Sequence, residues 1–379
     1  MDLKALIASE FQLDSDILHL NHAAVAPWPT RTVRAIKTFA EENAARGSQR
    51  YAEWIAHETE LRQQLADLIG APGPDDIALL KNTSEGLSIV AHGLDWREGD
   101  NVVISDQEFP SNRIVWESLQ GFGVEVRHVD LAAGVTPEQS LADATDRNTR
   151  LLAISSVQYA TGLRMHLAAL GAHCQAHGIL VCVDAIQSIG AVRTDVAEMQ
   201  ADFVVADGHK WMLGPEGLAL FYCRPELRER LTLRQYGWHM VEHHTDYDRN
   251  DWEVAASARR FECGSPNMLG VHALRASISL LLEVGMATVE SEVLARARWL
   301  FERIRASDPL QLITDDSAKR HAGIVTFRHR HTDSETLFRH LQQHGVVCAA
   351  RGGGVRFSPH FHTPQETMAM ALQIAADLS

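Results

Sequence analysis

The sequence predicts an α/β protein in which a mainly parallel sheet is covered by helices on both faces and followed by a smaller α+β unit. Three observations carry this. From about residue 76, short apolar runs alternate with helical stretches, the pattern of strands joined by crossover helices. Several runs are apolar at nearly every position, as strands buried on both faces are. After about residue 265 the pattern gives way to two long helices and then to short strands.

Seven runs read as strands, at residues 77–80, 101–105, 124–129, 151–156, 179–183, 203–206 and 218–222. Helices at 85–92, 112–120 and 167–177 lie between them. The later part carries helices at 271–284 and 289–305, then strands at 322–328, 346–350 and 354–358. A helix at 334–344 separates these strands, and one at 365–377 closes the chain. The expected division is a large unit, residues 17–280, and a small C-terminal unit, residues 281–379, with segment 1–16 packed on the small one.

Composition narrows the class. With 379 residues, 45% hydrophobic and 22% charged, the chain can bury a sizeable core. Its net charge is −14 and it has no basic run, which argues against a nucleic-acid partner. The first twenty residues carry acidic side chains and no apolar core, unlike a signal peptide. No stretch approaches the roughly 18 apolar residues of a spanning helix, so no membrane partner is expected. Cys174, Cys182, Cys223, Cys263 and Cys348 are dispersed without C-x-x-C spacing. That pattern reads as reduced thiols in a cytoplasmic protein.

Open α/β sheets bind ligands past the carboxyl ends of their strands, and reactive side chains recur there. Lys210, in Asp207-Gly208-His209-Lys210, follows the run at 203–206 and precedes bulky Trp211 and Met212. Desolvation would lower its pKa and free a nucleophilic amine; the alternative is an exposed loop lysine. Asp184 closes the apolar run at 179–183 and needs a cationic or hydrogen-bonding partner, unless it caps the next helix. Gln187 lies three residues on.

Asn82-Thr83-Ser84-Glu85-Gly86 opens a helix after a strand, as an anion cradle or an ordinary N-cap does. In Gln107-Glu108-Phe109-Pro110-Ser111-Asn112, Phe109 can lie against a flat ring or in the core. Arg356, in Gly354-Val355-Arg356-Phe357-Ser358, offers a forked donor for a carboxylate, or is a surface arginine.

Taken together the motifs resemble the class V aminotransferase group of fold-type I enzymes dependent on pyridoxal 5′-phosphate (PLP). This group includes cysteine desulfurases, selenocysteine lyases, kynureninases and isopenicillin-N-epimerase-like proteins. The resemblance rests on Asn21-His22-Ala23-Ala24, Thr83-Ser84-Glu85-Gly86, Val183-Asp184-Ala185-Ile186-Gln187, Gly208-His209-Lys210, Gly264-Ser265-Pro266-Asn267 and Arg356-Phe357-Ser358, in the family's order along nearly the whole chain. It implies PLP as cofactor, with Lys210 as Schiff-base lysine and proton shuttle and Asp184 paired with the pyridine nitrogen. By the same resemblance Gln187 and Tyr159 lie near the ring hydroxyl, Phe109 stacks on the ring, and Thr83, Ser84 and His209 bind phosphate. Asn21, His22, Ala24 and Arg356 face an amino acid or amine substrate, with Arg356 on its α-carboxylate. Ser265 matches a position that reaches the phosphate of a second copy, which implies a homodimer with shared active sites.

The departures set the expected subclass. Desulfurases carry a nucleophilic cysteine shortly before the carboxylate-binding arginine; here residues 349–354 hold no thiol, and Cys348 lies in an apolar run. Phe109 stands where the family commonly has histidine. Asp207 would repel a phosphate unless a cation pairs with it. The phrases E-F-P-S-N and R-F-S-P-H are similar to the epimerase-like branch. The leading expectation is therefore a reaction at Cα of an amino acid, of epimerase, lyase or aminotransferase type. Cysteine desulfurase or selenocysteine lyase is the alternative, and a non-catalytic PLP-fold sensor or assembly protein comes third. No metal is expected: His173 and His177 read as a solvated helix face, and the stretch from His239 to Asp248 as a polar loop near the substrate entrance. Tyr236 and Trp238 can line the substrate pocket or pack in the core.

Overall fold

A computed structural model describes residues 2–378. All seven expected strands of the large unit form one sheet. Its order is Ile77–Leu80, Ala219–Cys223, Phe203–Asp207, Leu180–Asp184, Thr149–Ser155, Asn101–Ser105 and Glu125–Val129. Every pairing is parallel except the two made by Ala219–Cys223. A parallel neighbour needs a crossover, usually a helix. The link at 208–218 contains no helix, so the chain returns antiparallel. The five central strands are almost wholly buried, while edge strand Glu125–Val129 exposes Glu125 and His128.

Apolar layers cover both faces. On one, Leu61, Leu65 and Ile69 of helix Tyr51–Ile69 pack with Val271, Leu274 and Ile278 of helix Met268–Val284. On the other, Leu87 and Val90 of helix Thr83–Gly93 pack with Trp116. Helices Thr30–Arg46 and Tyr51–Ile69 were not legible in the sequence. In the first of them Thr32 alone is buried, so no apolar stripe marks it.

After helix Met286–Arg305 comes a four-stranded antiparallel sheet, ordered Ala349–Arg351, Gly354–Phe357, Val325–His329 and Leu310–Leu312. The single strand expected at 346–350 is split. Val346–Val347 pairs with Leu18–His19, and Ala349–Arg351 with Gly354–Phe357, so the chain changes partner at Cys348. Gly352 and Gly353, at φ 60° and 75°, make the two-residue turn between Arg351 and Gly354 that left-handed backbone permits. The opening helix Leu3–Glu10, with Phe11 that follows it, reaches residues of both expected units. Glu10 Oε1 accepts from Arg31 Nε at 2.7 Å, and Phe11 stacks on His362 with ring centroids 3.5 Å apart.

Candidate active site

The carboxyl edge of the large sheet gathers the reactive residues. Asp184 and Asp207 are the last residues of adjacent strands, and His209 and Lys210 begin the link back to Ala219–Cys223. That link is fixed by its own backbone: Gly208 N donates to Leu218 O, and Gly214 N to Gly208 O, both at 2.9 Å. Gly190 (φ 91°) passes so close beneath it that a Cβ would fall 2.2 Å from the Trp211 carbonyl oxygen. Lys210 is thus held by backbone packing.

Burial pushes the Lys210 pKa down to about 8; the negative charge of Asp184 opposes this and Arg356 adds to it. Burial pushes Asp184 up to about 7, against the Ile186 N–H at 3.1 Å and the charge of Lys210. An amine with a neutral fraction near pH 7 therefore faces a carboxyl that can hold a proton there. Lys210 Nζ lies 5.7 Å from the centroid of the Phe109 ring, which meets Tyr159 edge-on at 5.1 Å.

Helix Thr83–Gly93 points its N-terminus at the same edge, where unpaired N–H groups favour an anion. Its cap is Asn82, whose side chain accepts from Glu85 N at 2.9 Å. Thr83 Oγ1 accepts from Asp207 N at 3.1 Å, and Ser84 Oγ donates to Ser111 Oγ at 2.9 Å. His209 Nδ1 lies 2.9 Å from Asp207 Oδ1, an ion-pair distance although the atoms are not aligned for a hydrogen bond. Asp207 thereby has the cation-capable neighbour its position demands.

Arg356 is buried on strand Gly354–Phe357. It donates from one Nη to Tyr159 O at 2.6 Å and from the other to Asn21 Oδ1 at 3.4 Å, while its Nε has no hydrogen-bond partner. Burial lowers its pKa to about 10. Asn21 Nδ2 also donates to Cys348 O at 3.4 Å, and Ala24 N to Asn21 O at 2.9 Å. Gln187 is buried, donating to Ala23 O at 3.1 Å and accepting from Trp211 Nε1 at 2.9 Å.

Two expected residues stand apart. His22, expected to face the substrate, is buried: its Nδ1 lies 3.0 Å from Ser358 O and its Nε2 3.3 Å from His362 Nε2. Both ring nitrogens are engaged in a buried histidine cluster. Ser265 is exposed in the loop before helix Met268–Val284.

The remaining sequence signals also find places. Cys348 is buried, and burial pushes its thiol up to about 12. His173 and His177 are engaged by Thr145 Oγ1 and by the His173 carbonyl. Tyr236 and Trp238 line a cavity of about 350 Å³ with Tyr247 and Trp252. His239, read as a loop residue, is instead buried beside Glu262 and Glu58. Arg62 bridges those two carboxylates, so a cation already fills the place a metal would take.

Glu108 was passed over in the sequence, where Phe109 drew the attention. It is buried and gathers donors from three segments of the edge. Ser105 Oγ and Gln158 Nε2 donate to Oε1 at 2.8 and 2.9 Å. Asn112 Nδ2 and Ser155 Oγ donate to Oε2 at 2.7 and 2.5 Å, and Ser155 N is 3.1 Å from both oxygens. A glutamate directly past a strand exit was the available signal.

Lysine, acid, helix terminus and arginine, converging on one edge of this sheet, define an enzyme site of the PLP-fold type. The chain belongs to the aminotransferase class-V family, whose profile matches residues 18–369. It is 29% identical over 382 residues to a probable cysteine desulfurase of Methanothermobacter thermautotrophicus, covering 95% of this chain and 94% of that one. It is 30% identical over 344 residues to the uncharacterized aminotransferase YcbU of Bacillus subtilis, covering 90% of each. Among solved structures, the apo cysteine desulfurase of Thermococcus onnurineus superposes with a TM-score of 0.89 at 24% identity, over 100% of this chain and 98% of that one. A lysine-to-alanine variant of C-DES, with glycine covalently linked to its PLP cofactor, superposes with a TM-score of 0.88 at 22% identity, over 96% of this chain and 97% of that one. These two structures establish the shared fold. No helix among the described residues is long and apolar enough to cross a membrane.

The family implies PLP, and the residues fit it. An amine of lowered pKa faces a buried acid, a helix N-terminus with Thr83 and Ser84 opens beside them, and the buried Arg356 keeps an unpartnered Nε.

Proposed function

We propose that this chain binds PLP at Lys210 and acts at Cα of an amino acid, with cleavage of the C–S bond of cysteine or a close analogue as its reaction. The single observation that carries the first part is the pair Lys210, half-buried with its pKa lowered to about 8, and Asp184, buried with its pKa raised to about 7. The choice of C–S chemistry rests on the relatives, whose names favour desulfurase over the Cα reactions ranked first in the sequence. Bound PLP supplies an electron sink for the pair left when a bond to Cα breaks.

The chain's own residues do the rest. Arg356 would hold the α-carboxylate with its planar fork and so orient the substrate's Cα. Asp184 holds a proton at the pyridine nitrogen, and Lys210 takes and returns a proton at Cα. Thr83, Ser84, His209 and the helix N-terminus anchor the phosphate, while Phe109 and Tyr159 cover the ring and exclude water. Ser265, exposed, serves the phosphate of a second copy.

The sulfur leaves to an external thiol. Cys348 is buried with its pKa pushed up to about 12, and the Gly352-Gly353 turn leaves no loop to carry a thiol inward. Cysteine and an external thiol then give alanine and a persulfide on that thiol, with atoms and electrons in balance. The same missing thiol favours one second reading, epimerisation or transamination without C–S cleavage.

Purified protein loaded with PLP and given cysteine and dithiothreitol decides among these. Alanine with sulfide released from the thiol supports the proposal. Exchange of the Cα hydrogen with deuterated solvent, without sulfur release, supports the second reading. Absence of any spectral change across amino acids leaves the non-catalytic reading.

A further inference from the structure

Glu108 is a buried carboxylate near the site that the proposed chemistry leaves without a task. It touches no cation, yet it accepts from Ser105, Asn112, Ser155 and Gln158. These donors belong to the ends of strands Asn101–Ser105 and Thr149–Ser155, to helix Ser111–Glu117, and to the loop that follows Ser155. Only a carboxylate, with two oxygens and no hydrogen of its own, can take all of them. Its neighbours in the chain are the two aromatic residues at issue. Phe109 follows Glu108, and Tyr159 follows Gln158, which the carboxylate holds. The Tyr159 carbonyl in turn receives Arg356.

The carboxylate also stands close to the acid of the site. Ser155, which donates to Glu108 from both side chain and backbone, is paired across the parallel ladder with Asp184. The charged groups that act on Asp184 are Lys210 and Glu108, together with the Ile186 N–H; the neighbouring Cys182 thiol is held neutral by burial. Glu108 is therefore the negative charge set against the positive charge of Lys210.

We propose that Glu108 is a positioning residue with two effects: it locks Phe109 and Tyr159 over the cofactor ring, and its charge favours retention of the proton that Asp184 holds at the ring nitrogen. This deepens the site described above and rests on PLP lying at Lys210. A fixed charge on the adjacent strand end favours every protonated form of the ring and its partners, because it is screened little by water there.

The test uses full-length protein and two readouts other than turnover. One is PLP affinity, measured by titrating apoprotein; the other is the pH midpoint of the bound cofactor's absorbance band. Wild type must bind PLP at Lys210, and if it does not, the underlying reading fails first. Given that binding, Glu108→Gln should weaken PLP about tenfold and lower the midpoint by about half a unit to one unit, as loss of a nearby negative charge requires. Ser155→Ala keeps the charge and loosens the clamp, so it should weaken PLP with little shift of the midpoint. A folded Glu108→Gln protein with unchanged affinity and midpoint overturns the proposal. So does one that loses affinity only in step with thermal stability while the midpoint stays put, which is a merely structural role. Should Glu108→Gln not fold, Ser155→Ala alone decides, since unchanged PLP affinity there also overturns it.

Discussion

His209 Nδ1 lies 2.9 Å from Oδ1 of the buried Asp207, at the end of the strand beside the one that carries Asp184. The contact turns an unfavourable acid into an orienting one. In the proposed reading Asp207 orients the imidazole by its charge beside Nδ1, and Nε2 would serve the phosphate. Asp207→Asn is therefore expected to weaken PLP binding about fivefold to tenfold. His209→Ala should cost at least as much, and titration of apoprotein followed by absorbance measures both.

Lys210 is the residue that borohydride should fix to the cofactor. Mass spectrometry should find the added mass on the peptide containing Lys210, and Lys210→Ala should lose both that mass and turnover. In apoprotein the amine should react with a small aldehyde along a pH profile with its midpoint near 8, where its lowered pKa lies. A profile centred above 10, as for an exposed lysine, would contradict the burial argument.

Asp184 carries a pKa raised to about 7, so the folded apoprotein binds a proton there that the unfolded chain releases near 4. The stability this contributes is present below about pH 4 and is lost as pH rises toward 7. Asp184→Asn apoprotein should therefore gain on wild type between pH 5 and pH 8, by about 2–4 °C in Tm. The same variant, loaded with PLP, should lose at least about a hundredfold in turnover because the ring nitrogen has no acid beside it. Thermal melts at both pH values, with and without cofactor, separate the two effects.

Arg356 offers two Nη donors already placed by Tyr159 O and Asn21 Oδ1. Arg356→Lys should not rescue function, because an ammonium cannot reproduce the fork. Both Arg356→Lys and Arg356→Ala should lower kcat/KM for α-amino acids about a hundredfold while PLP affinity changes little. Steady-state kinetics alongside cofactor titration is the check.

Cys348→Ser bears on where sulfur goes. The thiol is buried and its pKa is pushed up to about 12, so it is not a thiolate at neutral pH. Alanine formation from cysteine should stay within about twofold of wild type, with a stability loss of about 1 kcal/mol from the buried hydroxyl. Loss of alanine formation in a folded variant would show that the chain's own thiol accepts the sulfur.

The sequence by itself determined the seven strands and the placing of Lys210, Asp184 and Thr83 at their carboxyl ends. Those follow from apolar runs and from side chains just past their ends, which are local properties of the chain. Tertiary structure alone decided that His22 is drawn into a buried histidine cluster and that Asp207 faces His209. It alone showed that the strand around Cys348 switches partners, and that Glu108 ties three segments together. The reason is physical. Runs and caps are set by neighbours a few residues away, whereas a buried polar group is placed by whichever distant donor satisfies it, and that donor is brought near only by folding.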